Sequence, residues 1–246
     1  MKKINGKYTL FENELSEGKS KATDRWQQFF VKKFQYDPNE KYTLSVQSNH
    51  YLGDELGIKD IVRGDSGDPL PSTGTVVIST IRMGYGHYRI AMAGASCARA
   101  MGYTPLWLDL LAIPGITTDV INWCNSNYSR FSRLSQRNSF FNKYIWESLT
   151  TGDPSLPILN SILNAWIVTW PWRFLKTNIK DYKMSELFRN LYQALPSDIP
   201  MLTSHMWNSM GAVAGGMTNV VDMVFDNWPM AFQLTEIGRA SCRERV

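Results

Sequence analysis

The stretch from Thr75 to Asp109 constrains the fold of this chain more than any other. Val76-Val-Ile-Ser-Thr80 is a short, continuous apolar run rich in β-branched residues, the pattern of a strand buried on both faces. A glycine loop follows, Arg82-Met-Gly-Tyr-Gly-His87. Tyr88–Met101 is rich in alanine and contains no proline, which predicts a helix, and Gly102 stands where a left-handed residue would close it. Thr104–Leu108 is a second apolar run and ends at Asp109. Strand, glycine loop, helix and strand make a βαβ unit. The prediction is an α/β fold with a Rossmann-like, doubly wound parallel sheet.

The flanks fit around that unit. Residues 1–74 are polar and turn-rich, with strand-like pieces at Lys7–Phe11 and Tyr42–Gln47 on either side of a helix near Lys21–Lys33. Asp65–Gly74 is punctuated by Gly and Pro and reads as a linker or long loop. The expected division is a small α+β N-terminal extension over 1–74 and the Rossmann-like domain over 75–235. The middle, Ile116–Leu195, reads as helical, most apolar over Ser155–Trp172 and broken at Pro171. The α/β pattern then resumes: a strand at Pro200–Ser204, a helix over His205–Gly215 closed by Gly215-Gly216, and a strand at Asn219–Phe225 leading into Asp226-Asn-Trp-Pro229.

The last eleven residues, Glu236–Val246, read EIGRASCRERV and resemble a translated sequencing adapter in a single frame. They are set aside as non-native, and the natural reading frame is expected to continue beyond Thr235. Of the 26 Lys+Arg and 22 Asp+Glu in the chain, that segment holds three and two. The remainder carries a small positive excess without the clustered basic stripe that nucleic-acid binding needs. Two cysteines remain, Cys97 and Cys124, too few for a disulfide framework and not in metal-ligand spacing, so no metal is expected. Met-Lys-Lys at the start is followed by polar residues rather than an apolar core, so no signal peptide is read and a cytoplasmic setting is expected.

The glycine loop is the first candidate for chemistry. Glycines between a strand and a helix let a ligand approach the backbone, where the helix presents its unbonded N–H groups and positive dipole end. The dinucleotide fingerprint wants a small residue at position 89, where this chain has Arg89, although Asp109 falls where a ribose-binding acid would. The plainer alternative is a tight turn that needs glycine for packing alone. His87 sits behind the loop in the first turn of the helix, at the mouth of the sheet, with a pKa range suited to proton transfer. Its plainer alternative is a capping or packing histidine.

Val76–Ala93, VVISTIRMGYGHYRIAMA, resembles the opening of the monogalactosyldiacylglycerol synthase and MurG-like glycosyltransferases, a strand and glycine loop ending in Gly-His before a helix. Gly86 and His87 match that ending, and Tyr85 stands where the family often has a further glycine. Ser204-His205 is similar to the family's segment entering the inter-domain cleft, and Val224–Pro229 to its later strand with an acidic end. The resemblance implies a GT-B architecture of which this chain is the acceptor-side half, transferring sugar from a nucleotide-sugar co-substrate, UDP-linked, to a lipid or other hydroxyl acceptor. It implies His87 as general base and Gly84, Tyr85, Gly86 and Arg89 as the loop near acceptor and phosphate. Ser204, His205, Asp226 and Asn227 would line the cleft. No tightly bound cofactor and no nucleic-acid partner are implied.

Two other readings stand beside it. One is an NAD(P)-binding oxidoreductase domain using Gly84, Gly86 and Asp109. The other is a non-catalytic binding protein that keeps the fold without the chemistry. A lipid acceptor would also call for peripheral membrane contact. The broad apolar face of Leu156–Trp172 offers one, but its polar face has no Lys or Arg before Arg173, which favours a buried core helix.

Overall fold

A computed structural model describes residues 2–4, 7–10, 13–14, 17–71, 73–82, 85–143 and 183–223. Gly84, Asp226, Asn227, the apolar stretch Ser155–Trp172 and the segment Glu236–Val246 lie outside the described residues.

Three short antiparallel strands open the chain: β1 (Lys2–Ile4), β2 (Lys7–Leu10) and β3 (Asn13–Glu14). Helix α1 (Glu17–Phe34) follows, four residues earlier at its start than its apolar pattern predicts. Next come β4 (Leu44–Ser48), the one-turn helix α2 (Gly53–Leu56) and β5 (Lys59–Arg63). The expected βαβ unit is present as β6 (Thr75–Thr80), α3 (Tyr85–Ala100) and β7 (Thr104–Asp109). Helices α4 (Ile116–Arg137) and α5 (Ser139–Phe141) continue the chain. A 3-10 turn (Glu186–Phe188) runs into α6 (Arg189–Tyr192), then β8 (Met201–Thr203), α7 (Met206–Gly215) and β9 (Val220–Asp222).

The main sheet has six strands in the order β4-β5-β7-β6-β8-β9. All neighbours are parallel except the β4–β5 hairpin. This is the mixed, mostly parallel sheet of a Rossmann-like α/β fold. Strands β4 and β5 precede residue 75, so the sheet spans the boundary expected at residue 74. Of the two readings of Asp65–Gly74 the structure shows the long loop, lying within the domain, with Asp68 bridging back to Val46. The sequence conceals β5 because Lys-Asp-Ile-Val-Arg, at the outer side of β7, mixes charged and apolar residues without the unbroken apolar run of β6.

Alternation along the strands divides the core between the two faces. Val76, Ile78 and Trp107 pack with Ala91, Ala95 and Ala98 of α3. Val77, Leu106 and Leu108 face the other way, into a larger core with Phe30, Val120, Ile121, Phe188, Tyr192 and Trp207. Small residues on α3 let the helix lie close to the sheet, and every residue of β6 is buried. Helix α3 ends as expected: Gly102 takes φ 84° and Tyr103 N–H donates to the Ala98 carbonyl at 2.9 Å.

From β6 the chain steps to β7 on one side, then returns across β6 to β8 on the other. The carboxyl ends of β6 and β8 therefore flank a topological switch point. In open α/β sheets ligands bind in the crevice at that place.

Candidate functional site

Ser204 and His205 follow β8 directly and are fixed by hydrogen bonds on both sides. Ser204 N–H donates to the Ser79 carbonyl at 3.1 Å, and its hydroxyl donates to Thr80 Oγ1 at 3.2 Å. Thr203 Oγ1 accepts from His205 N–H at 3.2 Å and donates to the His205 carbonyl at 2.9 Å. The Ser204 carbonyl is thus held in place across the crevice from the first turn of α3. His87 meets it there, with Nδ1 2.6 Å from the Ser204 carbonyl oxygen.

A carbonyl oxygen only accepts, so His87 Nδ1 must carry the proton. In the neutral ring the lone pair is then on Nε2, which is the nitrogen able to take a proton from a substrate. The His87 and His205 rings lie edge to face, 4.8 Å between centroids. His205 caps α7: its Nδ1 accepts from Trp207 N–H at 3.2 Å, which puts its own proton on Nε2. Burial, with the charge of His87 adding, pulls His205 down to about 3 and keeps it neutral. The two histidines therefore have different duties. One is locked as a cap; the other is oriented by a backbone carbonyl.

The sequence candidates divide accordingly. His87, Ser204 and His205 come together, although 117 residues separate His87 from Ser204. Gly86 lies in the same turn of α3 and is exposed. A Cβ there would meet nothing within 4 Å, and its φ is not in the left-handed region. Neither packing nor backbone conformation demands glycine at 86, which removes the packing explanation at that position. Arg89 is exposed further along α3 and takes no part in the histidine contacts. Tyr85 faces the β7 side of the loop, away from His205, and is exposed. Asp109 is already engaged: Arg82 forms an ion pair with its Oδ2, and Leu111 N–H donates to its Oδ1 at 2.9 Å. A carboxylate has about four acceptor sites, so a ligand hydroxyl would share Asp109 with these two donors.

Sequence reasoning missed two further groups. Asn208, in the first turn of α7, is fully buried, and neither of its amide atoms has a hydrogen-bond partner. A buried polar group left so costs about 1–3 kcal/mol, and such groups call for an explanation such as a functional role. Asp222 ends β9 beside Thr203. Burial pushes its carboxyl up to about 6, and nearby Ser209 opposes the rise. The Ser209 hydroxyl donates instead to the Met206 carbonyl at 2.9 Å, which leaves both Asp222 oxygens buried without a partner. Nothing in Val-Val-Asp distinguishes that carboxyl from a surface one until the sheet is assembled.

Asp222 and His205 act oppositely on stability. Asp222 keeps its proton longer in the folded chain, so its contribution is fully present below about 3.8 and is lost as pH rises through about 6. His205 binds a proton later when folded, so its contribution is present above 6.5 and is lost as pH falls towards 3. Between roughly pH 4 and 6 the two largely cancel. Asp222→Asn should therefore raise stability at pH 8 by on the order of 2–3 kcal/mol and unmask a loss on acidification. Thermal melts at pH 4, 6 and 8 test this; a variant no more stable than the parent at pH 8 refutes it.

Among the described residues no group of three or more His, Cys, Asp or Glu side chains is placed to hold a metal ion, and no helix is long and apolar enough to cross a membrane. A family model with the description "Domain of unknown function (DUF6937)" matches residues 9–242. The chain belongs to the DUF6937 family. The match begins within β2 and runs across the main sheet into Glu236–Val246, so the DUF6937 unit includes both sides of residue 74. Comparison with the curated proteins and with the solved structures returns no match.

Proposed function

We propose that this DUF6937 chain is the acceptor-side half of a GT-B glycosyltransferase, with His87 as the base that activates the acceptor hydroxyl. The observation that carries the reading is the His87–Ser204 contact at the switch point. It fixes the imidazole tautomer with the proton on Nδ1, so that Nε2 is the basic nitrogen of the neutral ring. In the proposed step Nε2 takes the hydroxyl proton and the acceptor oxygen forms a bond to the anomeric carbon. The bond from that carbon to the nucleotide diphosphate breaks, and the diphosphate leaves with its electron pair. The sugar is delivered with inversion. The UDP-sugar would come from the partner half of the architecture, and the acceptor is a lipid or another hydroxyl compound.

Gly86 supports the same reading, since a ligand close to the α3 terminus is the remaining reason for a bare backbone there. The test uses the chain within its complete reading frame, assayed for transfer from UDP-sugars to hydroxyl acceptors. Transfer is expected. Gly86→Ala should leave stability unchanged or raise it by up to about 1 kcal/mol, because alanine is the better helix former. The same variant should lose transfer. Absence of transfer with every UDP-sugar tried removes the proposal, and an active Gly86→Ala enzyme removes the loop from it.

A further inference from the structure

A cavity of about 560 Å³ opens on the β7 side of the α3 terminus, over β5 and β7, with His50 in its lining, whereas His87 and His205 meet on the β8 side. The volume is within the range of small-molecule sites. Its lining is unusually aromatic. Trp107 is buried, and Tyr88 packs against it edge to face at 5.2 Å between centroids. At the mouth stand two further, largely exposed rings: Tyr85 is 85% exposed, and Tyr51, 83% exposed, packs edge to face against His50 of the same lining at 4.7 Å between centroids. Rigid aromatic faces that are not used in the core are suited to the apolar face of a ligand ring.

The polar groups in the lining narrow the ligand class. Asp109 is tied to Arg82, and a second carboxylate, Asp60, lies half-buried beside them. Asn49 Nδ2 donates to Asp60 Oδ1 at 2.8 Å, which leaves Asp60 Oδ2 with no bond in the described structure. Burial raises the Asp60 carboxyl; Asn49 and Arg82 hold it back, while the Asp109 charge adds to the rise. Two carboxylates against one guanidinium repel an anion, so a phosphate group is not the cargo. The guanidinium at the same wall disfavours a cation. Carboxylates accept from hydroxyls, and a guanidinium donates to them. Adjacent hydroxyls on a ring with an apolar face satisfy all of these groups together.

We infer that the cavity between Tyr51, Tyr85 and Trp107 binds a neutral polyhydroxylated ring, a sugar or a cyclitol, through the Asp60, Asp109 and Arg82 side chains. This deepens the transfer reading by naming the class of the acceptor headgroup, and it rests on that reading only in calling the ring an acceptor. Binding itself needs no nucleotide-sugar donor.

The test is ligand-observed NMR titration of the 246-residue chain, without nucleotide sugar, using methyl β-glucopyranoside, methyl β-galactopyranoside, myo-inositol, myo-inositol 1-phosphate and choline. Saturable binding of at least one neutral ring is expected; glycoside without inositol identifies a sugar, and the reverse identifies a cyclitol. Tyr85→Ala removes only an exposed ring, so the fold is retained, and it should weaken binding at least tenfold. Asp60→Asn should weaken it similarly. Inositol phosphate should bind at least tenfold more weakly than the best neutral ring. Three results overturn the inference: no saturable binding of any neutral ring, binding insensitive to both Tyr85→Ala and Asp60→Asn, or preference for choline or the phosphate. Intact transfer in His87→Ala would overturn only the base.

Discussion

Replacing His87 by alanine is expected to lower sugar transfer by about 10²–10⁴-fold, the usual contribution of a positioned general base. The chain should remain folded, because the His87 side chain is only partly buried and the core does not depend on it. A second variant separates proton transfer from mere positioning. His87→Gln can still offer an amide N–H to the Ser204 carbonyl, but it supplies no basic nitrogen. If His87 is the base, Gln should be as inactive as Ala, and the acidic limb of the pH–rate profile should vanish in both. A Gln variant with near-parental kcat would instead make His87 a positioning residue, and a fully active Ala variant would take it out of the mechanism.

The second large effect concerns stability. Tyr192→Ala should destabilise the fold by about 3–5 kcal/mol, the range for deleting a buried large aromatic side chain. Tyr192 is completely buried, and Gly211 and Gly215 of α7 make room for it: a Cβ at 215 would lie 2.6 Å from Tyr192 Cβ. Its hydroxyl shares a hydrogen bond of 3.3 Å with Ser79 Oγ, one residue before the Thr80 that receives the Ser204 hydroxyl. The ring therefore supports β6 from below, at the end where the histidines sit. Tyr192→Phe keeps the ring and removes only that bond, so it should cost about 1 kcal/mol. Urea denaturation monitored by far-ultraviolet circular dichroism gives both values. A Tyr192→Ala cost under about 1 kcal/mol would mean that the site rests on other supports.

Much of the frame was legible along the chain because its signals are local. A buried parallel strand needs an unbroken apolar run, and β6 and β7 have one. A helix that lies close to a sheet needs small residues on one face, and α3 has Ala91, Gly94, Ala95 and Ala98. Gly102 and Gly216 marked helix ends because left-handed backbone favours glycine, and both adopt it. Strand β5 was missed because it borders β7 near the edge of the sheet, where one strand can carry the half-buried Lys59, Asp60 and Arg63 among its apolar residues. The boundary expected at residue 74 followed from that omission, since a Gly- and Pro-rich loop looks the same whether it joins two domains or two strands of one sheet.

The site divides along the same line. The sequence alone determined that a histidine would stand behind a glycine loop at the start of a helix, because residue order fixes that neighbourhood. Only the tertiary structure decided which nitrogen of that histidine holds a proton, because the deciding carbonyl belongs to Ser204, far along the chain. It alone turned His205 into a neutral cap, withdrew Asp109 into a pair with Arg82, and placed Asp60 among aromatic rings. Each of these depends on a partner brought near by the order of strands. Charge, tautomer and burial are properties of the assembled neighbourhood, and no local pattern of residues encodes them.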